Sequence, residues 1–573
     1  MPEKMLHRTI GFIILHLSML YSSGQDLPSF HPPLKIPMYL SGNFGEIRTD
    51  HFHSGIDIKT QGSTGHQVYA VEEGFVSRIK VQANGYGKSI YISHPNGYTS
   101  VYGHLDGYRE DIAAYVKSMQ YTKQSHMVDL YLKPETFPLE KGDFIAFSGN
   151  TGSSSAPHLH FEIRTTANQH PTNVLAYNFD IRDNIAPRFL SLFLYPMDRE
   201  SQINGMAERT SVKVLLHNGM YVLPYGSRME AWGTLGISVE VFDYLNGASN
   251  RCGIYSLEMY VDDQLSYRHV MEEFSFSETR YINAFIDYGE RIRSAVKAHR
   301  LHRLPNDRLR IYTKAAGNRA LVIKEPRDYP VRILATDVAG NSSTLEFVIK
   351  GREQTPIQDS PYMDIIPMDY RVANEFQQGP VRVELPPNAL YQDLDFTFSN
   401  SPASRGSLTP FYKISSAEVP VHLPYRLSID CPQIDPALHK RLLLLTLDED
   451  GQVVAAGGGY QNGTVVAELR QFGEYAVGLD TIAPEIIFRG RKDPDLSGSK
   501  QLRFTVRDQL SGIATYEGYI DNRWALFEYD PKNESLSYTF DTQYVTPDSE
   551  HEMELYAADE KGNVSLYHRT FIW

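Results

Sequence analysis

One five-residue motif occurs twice, far apart, and it governs how this chain can be divided. Asp183-Asn184-Ile185-Ala186-Pro187 recurs as Asp480-Thr481-Ile482-Ala483-Pro484. Each copy is followed by an alternating apolar run closed by Gly, ISVEVFDYLNG at 237–247 and LRFTVRDQLSG at 502–512. Each ends in a similar turn and strand, ATDVAGNSS from Ala335 and AADEKGNVS from Ala557. The Pro-to-Asn span is about 75 residues longer in the first copy. Such duplication excludes one continuous core, and 573 residues suggest roughly four domains.

Strand signals dominate elsewhere. His94-Pro95-Asn96-Gly97 separates KSIYIS from YTSVYG and predicts a hairpin, while Asp450-Gly451 and Asn462-Gly463 predict two more. Helices are few. Arg109–Tyr121 places Ile112, Tyr115, Val116 and Met119 on one face behind an acidic first turn. A second helix, basic and solvent-facing, is expected near Arg291–Arg303. The fold class is mainly β. Short alternating strands between turn signals predict immunoglobulin-like β-sandwiches at 183–352, with a large insertion, and at 480–573. Another β-sandwich is expected at 353–479, entered through a Pro-containing linker at Gln354–Pro361. Residues 25–182 form the remaining domain.

Composition and the N-terminus bound the compartment and partners. A 42% hydrophobic and 22% charged chain buries cores, and a net charge of −14 argues against a broad nucleic-acid surface. Cys252 and Cys431 are too few for a disulfide framework or a multi-cysteine zinc site and are expected to be unpaired. Lys4 and Arg8 precede the apolar run Thr9–Tyr21, and Ser22-Ser23-Gly24 offers a cleavage site before Gln25. Residues 1–24 therefore read as a signal peptide. Thirteen apolar residues fall short of the ~20 needed to cross a bilayer, so no membrane span is expected, and no Cys follows to take a lipid. The expected location is exported: periplasm, cell envelope or extracellular.

Histidines gather between 51 and 160. HFHSGID holds His53 and Asp57, and PHLHFE holds His158 and His160. Imidazole and carboxylate together suit zinc, whose ligands must converge to ~2.0–2.2 Å from one point. In a straight strand His53 and Asp57 would stand ~13 Å apart, so Ser54-Gly55 is expected to bend the chain. His158 and His160 would share one strand face ~6.7 Å apart, with Leu159 and Phe161 on the other.

The order GNFGEIRTDHFHSGIDI, then GYGKSIYISHPNGYTSVYGHL, then KGDFIAFSGNTGSSSAPHLHFEIR resembles the lysostaphin/LytM-type zinc metallopeptidases, which cut peptide bridges of bacterial peptidoglycan. The resemblance covers about residues 38–180, and SGNFGE together with the helical insertion is similar to Bacteroidetes-type envelope members. It implies an antiparallel-β peptidase domain with a short helical insertion, a Zn2+ cofactor, and peptidoglycan stem peptides as substrate. Carried over by position, His53, Asp57 and His160 match the metal ligands, and His104 and His158 match the catalytic histidines. The upstream Tyr that some relatives use to stabilise the reacting carbonyl has no match; Ile47 and Arg48 occupy that neighbourhood. Between His104 and Lys141 the chain is longer than in simple members, and the insertion either rims the groove or packs on the β core.

Other readings compete at single residues. His51 is an alternative ligand, and His66 and His94 read as surface or turn residues. Glu162 shares a strand face with His160, either supporting it or solvated. His551-Glu552 begins an HExxH that fails at Leu555. The alternatives to a peptidoglycan endopeptidase are an endopeptidase on Gly-rich proteins and a non-catalytic wall-binding or scaffold protein. The β domains after residue 182 carry no concentrated catalytic constellation; they are expected to support, space or bind envelope partners, and the first domain to assemble its site without them.

Overall fold

The structure, a computed structural model, describes residues 28–313, 317, 319–353, 365–403, 406–431, 433–491 and 493–573. The expected signal peptide at 1–24 and the Gln354–Pro361 linker lie outside the described residues. Strand accounts for 48% and helix for 8%, which makes the protein mainly β. No helix among the described residues is long and apolar enough to cross a membrane.

The first domain is an antiparallel sheet in the order Leu40–Gly42, Ile56–Lys59, His158–Thr165, Tyr98–Tyr108, Lys88–Ser93, Gly74–Val81, Val128–Tyr131. Its register puts His160 opposite Asp57 on one side and Gly103 on the other. The predicted hairpin joins Lys88–Ser93 to Tyr98–Tyr108, with Gly97 at φ 85° closing the turn. Leu159, Phe161 and Ile163 alternate into the core with Ile56, Ile58 and Tyr102, leaving the histidines on the opposite face. The helix α1 (Glu110–Lys123) buries Ile112 and Val116 on this core.

The segment 183–352 forms a twelve-stranded sheet around the long strand Glu230–Phe242. Residues 366–479 build two five-stranded sheets and a two-stranded one around a shared core, with hairpins at Asp450-Gly451 and Asn462-Gly463. Residues 485–572 build two four-stranded sheets over another. The helix expected at Arg291–Arg303 is a shorter one, Tyr288–Ser294, and it is not solvent-facing throughout, since Tyr288 and Glu290 are buried. Ala295 takes φ 57° and ends it; the chain then forms the buried strand Ala298–Arg300 against Glu230–Phe242. Cys252 and Cys431 are unpaired.

The domains are not independent. Phe44, Ile47 and Phe52, from the loop that leads into His53, lie in the hydrophobic core of the second unit. Their rings pack at 5.1 Å (Phe44–Phe274), 5.6 Å (Phe52–Phe274) and 5.3 Å (Phe52–Phe285). In return, Leu245 and Cys252 enter the core of the first. The last unit folds back on the first: Tyr121 stacks on Tyr544 at 3.7 Å, Lys117 pairs with Asp541 and Lys88 with Glu528. The helical insertion docks this last unit, and none of its residues lines the groove described below.

Candidate metal centre and catalytic histidines

The bend expected at Ser54-Gly55 is present and is tight. A Cβ on Gly55 would lie 2.2 Å from the Phe161 carbonyl oxygen, so only glycine lets the chain pass here. The turn brings His53 Nε2 to 3.0 Å from Asp57 Oδ1. From the neighbouring strand, His160 Nδ1 reaches Asp57 Oδ1 at 3.0 Å and His53 Nε2 at 3.1 Å. These three buried donors form a nearly equilateral triangle. Bonds of ~2.0–2.2 Å to a tetrahedral ion put its ligand atoms about 3.3 Å apart, so the donor set fits zinc.

The outer atom of each ligand is held so that its inner atom faces the centre. His53 Nδ1 donates to the Asn43 carbonyl at 2.8 Å, leaving the Nε2 lone pair inward. His160 Nε2 donates to Glu162 Oε1 at 2.7 Å, leaving Nδ1 inward. Arg48 donates to Asp57 Oδ2 at 2.9 Å, leaving Oδ1 inward. Three acceptors thus face one another across about 3 Å, an arrangement that needs a positive charge at its middle. In the metal-free chain a proton on His160 supplies it. Burial opposes that proton, but hydrogen bonds to Asp57 and Glu162 outweigh burial and push the pKa up to about 9. His53, where burial dominates, is shifted down. Asp57 is held well below the carboxylate range: its burial opposes this, but the imidazoles around it prevail.

His104 and His158 stand beside this triangle, their rings 4.8 Å apart. His104 Nδ1 donates to Thr151 O at 2.8 Å, and His158 Nδ1 to Ala156 O at 2.8 Å, so in both Nε2 is the free acceptor. His158 Nε2 lies 3.4 Å from Asp57 Oδ1. Burial, with the charges of His160 and His158 adding to it, lowers the His104 pKa to about 3, and the ring is neutral at ordinary pH. His104 sits at φ 58°, the left-handed region that costs a β-sheet residue roughly 1 kcal/mol or more. That local distortion, beside a register shift in the Tyr98–Tyr108 strand, turns the side chain toward the site.

Some competing readings resolve. His51 is exposed and bonds Asp50 rather than joining the donor triangle. His66 lies in a loop, bonded to Ser63 and the Thr60 carbonyl. His94 is the turn residue of the two alternatives: its carbonyl accepts from the Gly97 N–H, and its ring is buried, bonded to Ser100 and the Glu73 carbonyl. Glu162 is fully buried and joins His160, Arg164, Tyr86 and Ser54. Tyr86 went unrecognised in the sequence. Its hydroxyl donates to Glu162 at 2.6 Å, and its ring lies 5.0 Å from that of His160. Tyr86 lies in the turn before Lys88–Ser93 and reaches the HLH strand across Gly103, where a Cβ would come within 3.3 Å of its ring.

The site opens into a groove of about 1410 Å³ whose lining includes Phe276, Thr279 and Lys297 from the second unit. Six cationic side chains line it, Arg48, Lys59, Arg78, Lys80, Arg164 and Lys297, against one carboxylate, Asp57. Three of the six are paired with carboxylates, Arg48 with Asp57, Arg78 with Asp129 and Arg164 with Glu162, so the positive character of the groove rests on Lys59, Lys80 and Lys297.

The antiparallel sheet thus presents a His-Asp-His donor set that could hold a metal, beside two further histidines. Residues 51–126 match the model of Peptidase family M23, so the chain carries a domain of this metallopeptidase family. The matched stretch holds His53, Asp57 and His104; His158 and His160 lie beyond it. Residues 366–480 match a Zu5-like domain. An "Uncharacterized metalloprotease" of Haemophilus influenzae is 35% identical over 118 residues, covering 21% of this chain and 19% of that protein. The "DD-carboxypeptidase/endopeptidase Mpg" of Neisseria meningitidis is 29% identical over 127 residues, covering 22% and 23%. The match thus spans about a fifth of each relative. Among solved structures, the catalytic domain of lysostaphin from Staphylococcus simulans aligns at 23% identity over 22% of this chain and 81% of that one, with a TM-score of 0.16.

Proposed function

We propose that the protein is an exported zinc metalloendopeptidase that hydrolyses peptide cross-links of bacterial peptidoglycan. The observation that carries this reading is the set of four imidazoles around Asp57, each with its outer nitrogen tied to a fixed acceptor and its inner nitrogen turned toward the site. His53, Asp57 and His160 hold the zinc. Zinc bound there supplies Lewis-acid polarisation of the scissile carbonyl and lowers the pKa of water to about 7. His158 Nε2 takes the proton of the attacking water and returns it to the leaving amine. His104, neutral and anchored on Thr151, orients that water and steadies the charge that develops on the carbonyl oxygen. The groove's cationic lining favours a peptide with free carboxylates, as stem peptides have, and the endopeptidase named in the Neisseria relatives supports the same substrate class.

Zinc content and turnover on purified cross-linked muropeptides test the proposal together. His104→Ala and His158→Ala should keep zinc and lose about 10²–10⁴-fold in hydrolysis. A zinc-loaded chain inert on muropeptides but active on Gly-rich peptides would move the substrate assignment; inertness on both would make this a binding protein. Export rests on Lys4–Gly24 and predicts a mature N-terminus near Gln25 by direct sequencing. An intact Met1 in a membrane pellet would favour an anchor.

A further inference from the structure

The duplicated motif has a structural consequence distant from the groove. In each copy three aspartates converge, Asp183, Asp243 and Asp337 in the first and Asp480, Asp508 and Asp559 in the second, with one oxygen from each within 4.8 Å of the others. That distance matches two oxygens on opposite sides of a calcium ion, whose bonds run ~2.3–2.6 Å. The two clusters differ in how their charge is compensated. In the second, backbone N–H groups of Ile482, Ser511, Leu510, Gly512, Lys561 and Asn563 point at the carboxylates. The Lys561 ammonium acts on Asp480 and Asp559 as well.

The first cluster is answered less fully: the Ile185 N–H donates to Asp183 Oδ1 at 3.1 Å, and the Asn341 N–H and side-chain amide each donate to Asp337 at 2.8 Å. Asp243 is 2% exposed, and its Oδ1 meets no hydrogen-bond donor. Among the described residues, no ion pair reaches Asp183, Asp243 or Asp337, and the only charges acting on Asp183 and Asp243 are other aspartates. A buried carboxylate in that position is costly unless a cation answers it. Burial and the neighbouring aspartates raise the Asp243 pKa to about 8 and that of Asp183 to about 6.

We propose that Asp183, Asp243 and Asp337 bind one calcium ion, and that in the second copy of the motif the further backbone N–H groups of Leu510, Ser511, Gly512 and Lys561, with the Lys561 ammonium, take the ion's place. The donor set is all oxygen and all carboxylate, which suits a hard cation and not zinc. The site lies at the root of the loop closed by Asp243 and Cys252, whose backbone groups bond each other at 2.9 and 3.0 Å. That loop carries Leu245 and Cys252 into the first domain's core. Asn246 Oδ1 accepts from the Asn184 backbone at 2.9 Å beside it. Calcium would thus join the interdomain segment, this loop and the Asp337 turn, and stiffen the second unit against the first.

The test uses the full chain with zinc restored after calcium is removed on a chelating resin. Equilibrium dialysis against calcium should give one ion per chain, with half-saturation in roughly the 10–1000 μM range. Calcium at 10 mM should raise Tm by a few degrees. Asp243→Asn should abolish both effects, and in calcium-free buffer it should melt no lower than the parent, since without the ion burial already disfavours the charged form of this carboxyl. Asp508→Asn should bind calcium normally. If Asp243→Asn does not fold, Asp183→Asn, at a half-buried position, should show the same loss. No bound calcium at 10 mM, an unchanged Tm, an equal rise with magnesium, binding that survives both Asp243→Asn and Asp183→Asn, or binding lost in Asp508→Asn would each overturn the assignment.

Discussion

The two halves of the candidate metal centre are held by different means. Asp57 and His160 sit on adjacent strands, opposite each other in one ladder, and are fixed by the backbone of their own domain. His53 and His104 depend on loops that other parts of the chain brace. His53 donates to Asn43, whose side chain exchanges two hydrogen bonds with Gly253, while Phe44, Ile47 and Phe52 bury in the second unit. His104 donates to Thr151, and the carbonyls on either side of it, Asn150 and Gly152, accept from Lys532 of the last unit. A ladder needs only its neighbours in the sheet; a loop must be held from outside. The expectation that the first domain assembles its site unaided therefore applies to the strand half and not to the loop half.

The largest effect should come from the strand half. His160→Ala removes a ligand and one of the four partners of Glu162, so zinc should be lost and hydrolysis fall by at least about 10³-fold. Loss of zinc in His158→Ala with retention in His160→Ala, read by metal analysis of the purified variants, would reverse the ligand assignment.

Phe52→Ala strikes the brace on the loop half. Truncating a buried Phe should cost about 3–5 kcal/mol in denaturant unfolding. Zinc should bind more weakly, although no ligand is changed. A chain ending near Asp183 exposes Phe44, Ile47 and Phe52 together and should show the same weakened zinc binding. Full zinc affinity in either protein would mean that the loop holds itself.

A pH titration separates the halves without mutation. In the metal-free chain His160 has its pKa raised to about 9, whereas that of His53 is lowered. Below pH 9 zinc must displace the His160 proton, so affinity should rise about tenfold per pH unit and level off above it. The sign is the same for metal-free stability: the His160 contribution is present below the unfolded pKa of about 6.5 and is lost as pH rises through about 9. Calorimetry at pH 7 in buffers of different ionisation heat should count about one proton released; none would place the central positive charge elsewhere.

The smallest effect is expected at Lys532→Ala, which leaves zinc and fold intact and loosens only the Thr151 support of His104. Stability should change by less than about 1 kcal/mol, as for other partly exposed charged contacts. Hydrolysis should drop about 3–10-fold, mainly in kcat. An unchanged kcat would show that the loop is rigid without the last unit.

Much of this could be read along the chain because it depends on local spacing. The HLH alternation separates histidines from core residues at period two, and Ser54-Gly55 marks the bend between His53 and Asp57. The acidic first turn and apolar face at Arg109–Tyr121 locate α1. What was missed has long-range causes. Tyr86 reaches Glu162 from a turn 76 residues earlier, and His94 is buried against the Glu73 carbonyl, 21 residues away. The basic 291–303 stretch reads as an exposed helix until Ala298–Arg300 pairs with a central strand.

Period, turn residues and ligand types are written in adjacent positions, so the mainly β class, the duplicated motif and the candidate site residues are legible along the chain. The tertiary structure alone decided which imidazole nitrogen faces inward, because that depends on acceptors such as Asn43, Thr151 and Glu162 supplied by other strands and loops. It also decided that two motif copies with the same aspartates meet different fates. Six backbone N–H groups and a lysine answer one cluster, while the other leaves a buried oxygen unanswered. Compensation of buried charge is a property of the whole neighbourhood, and no motif carries it.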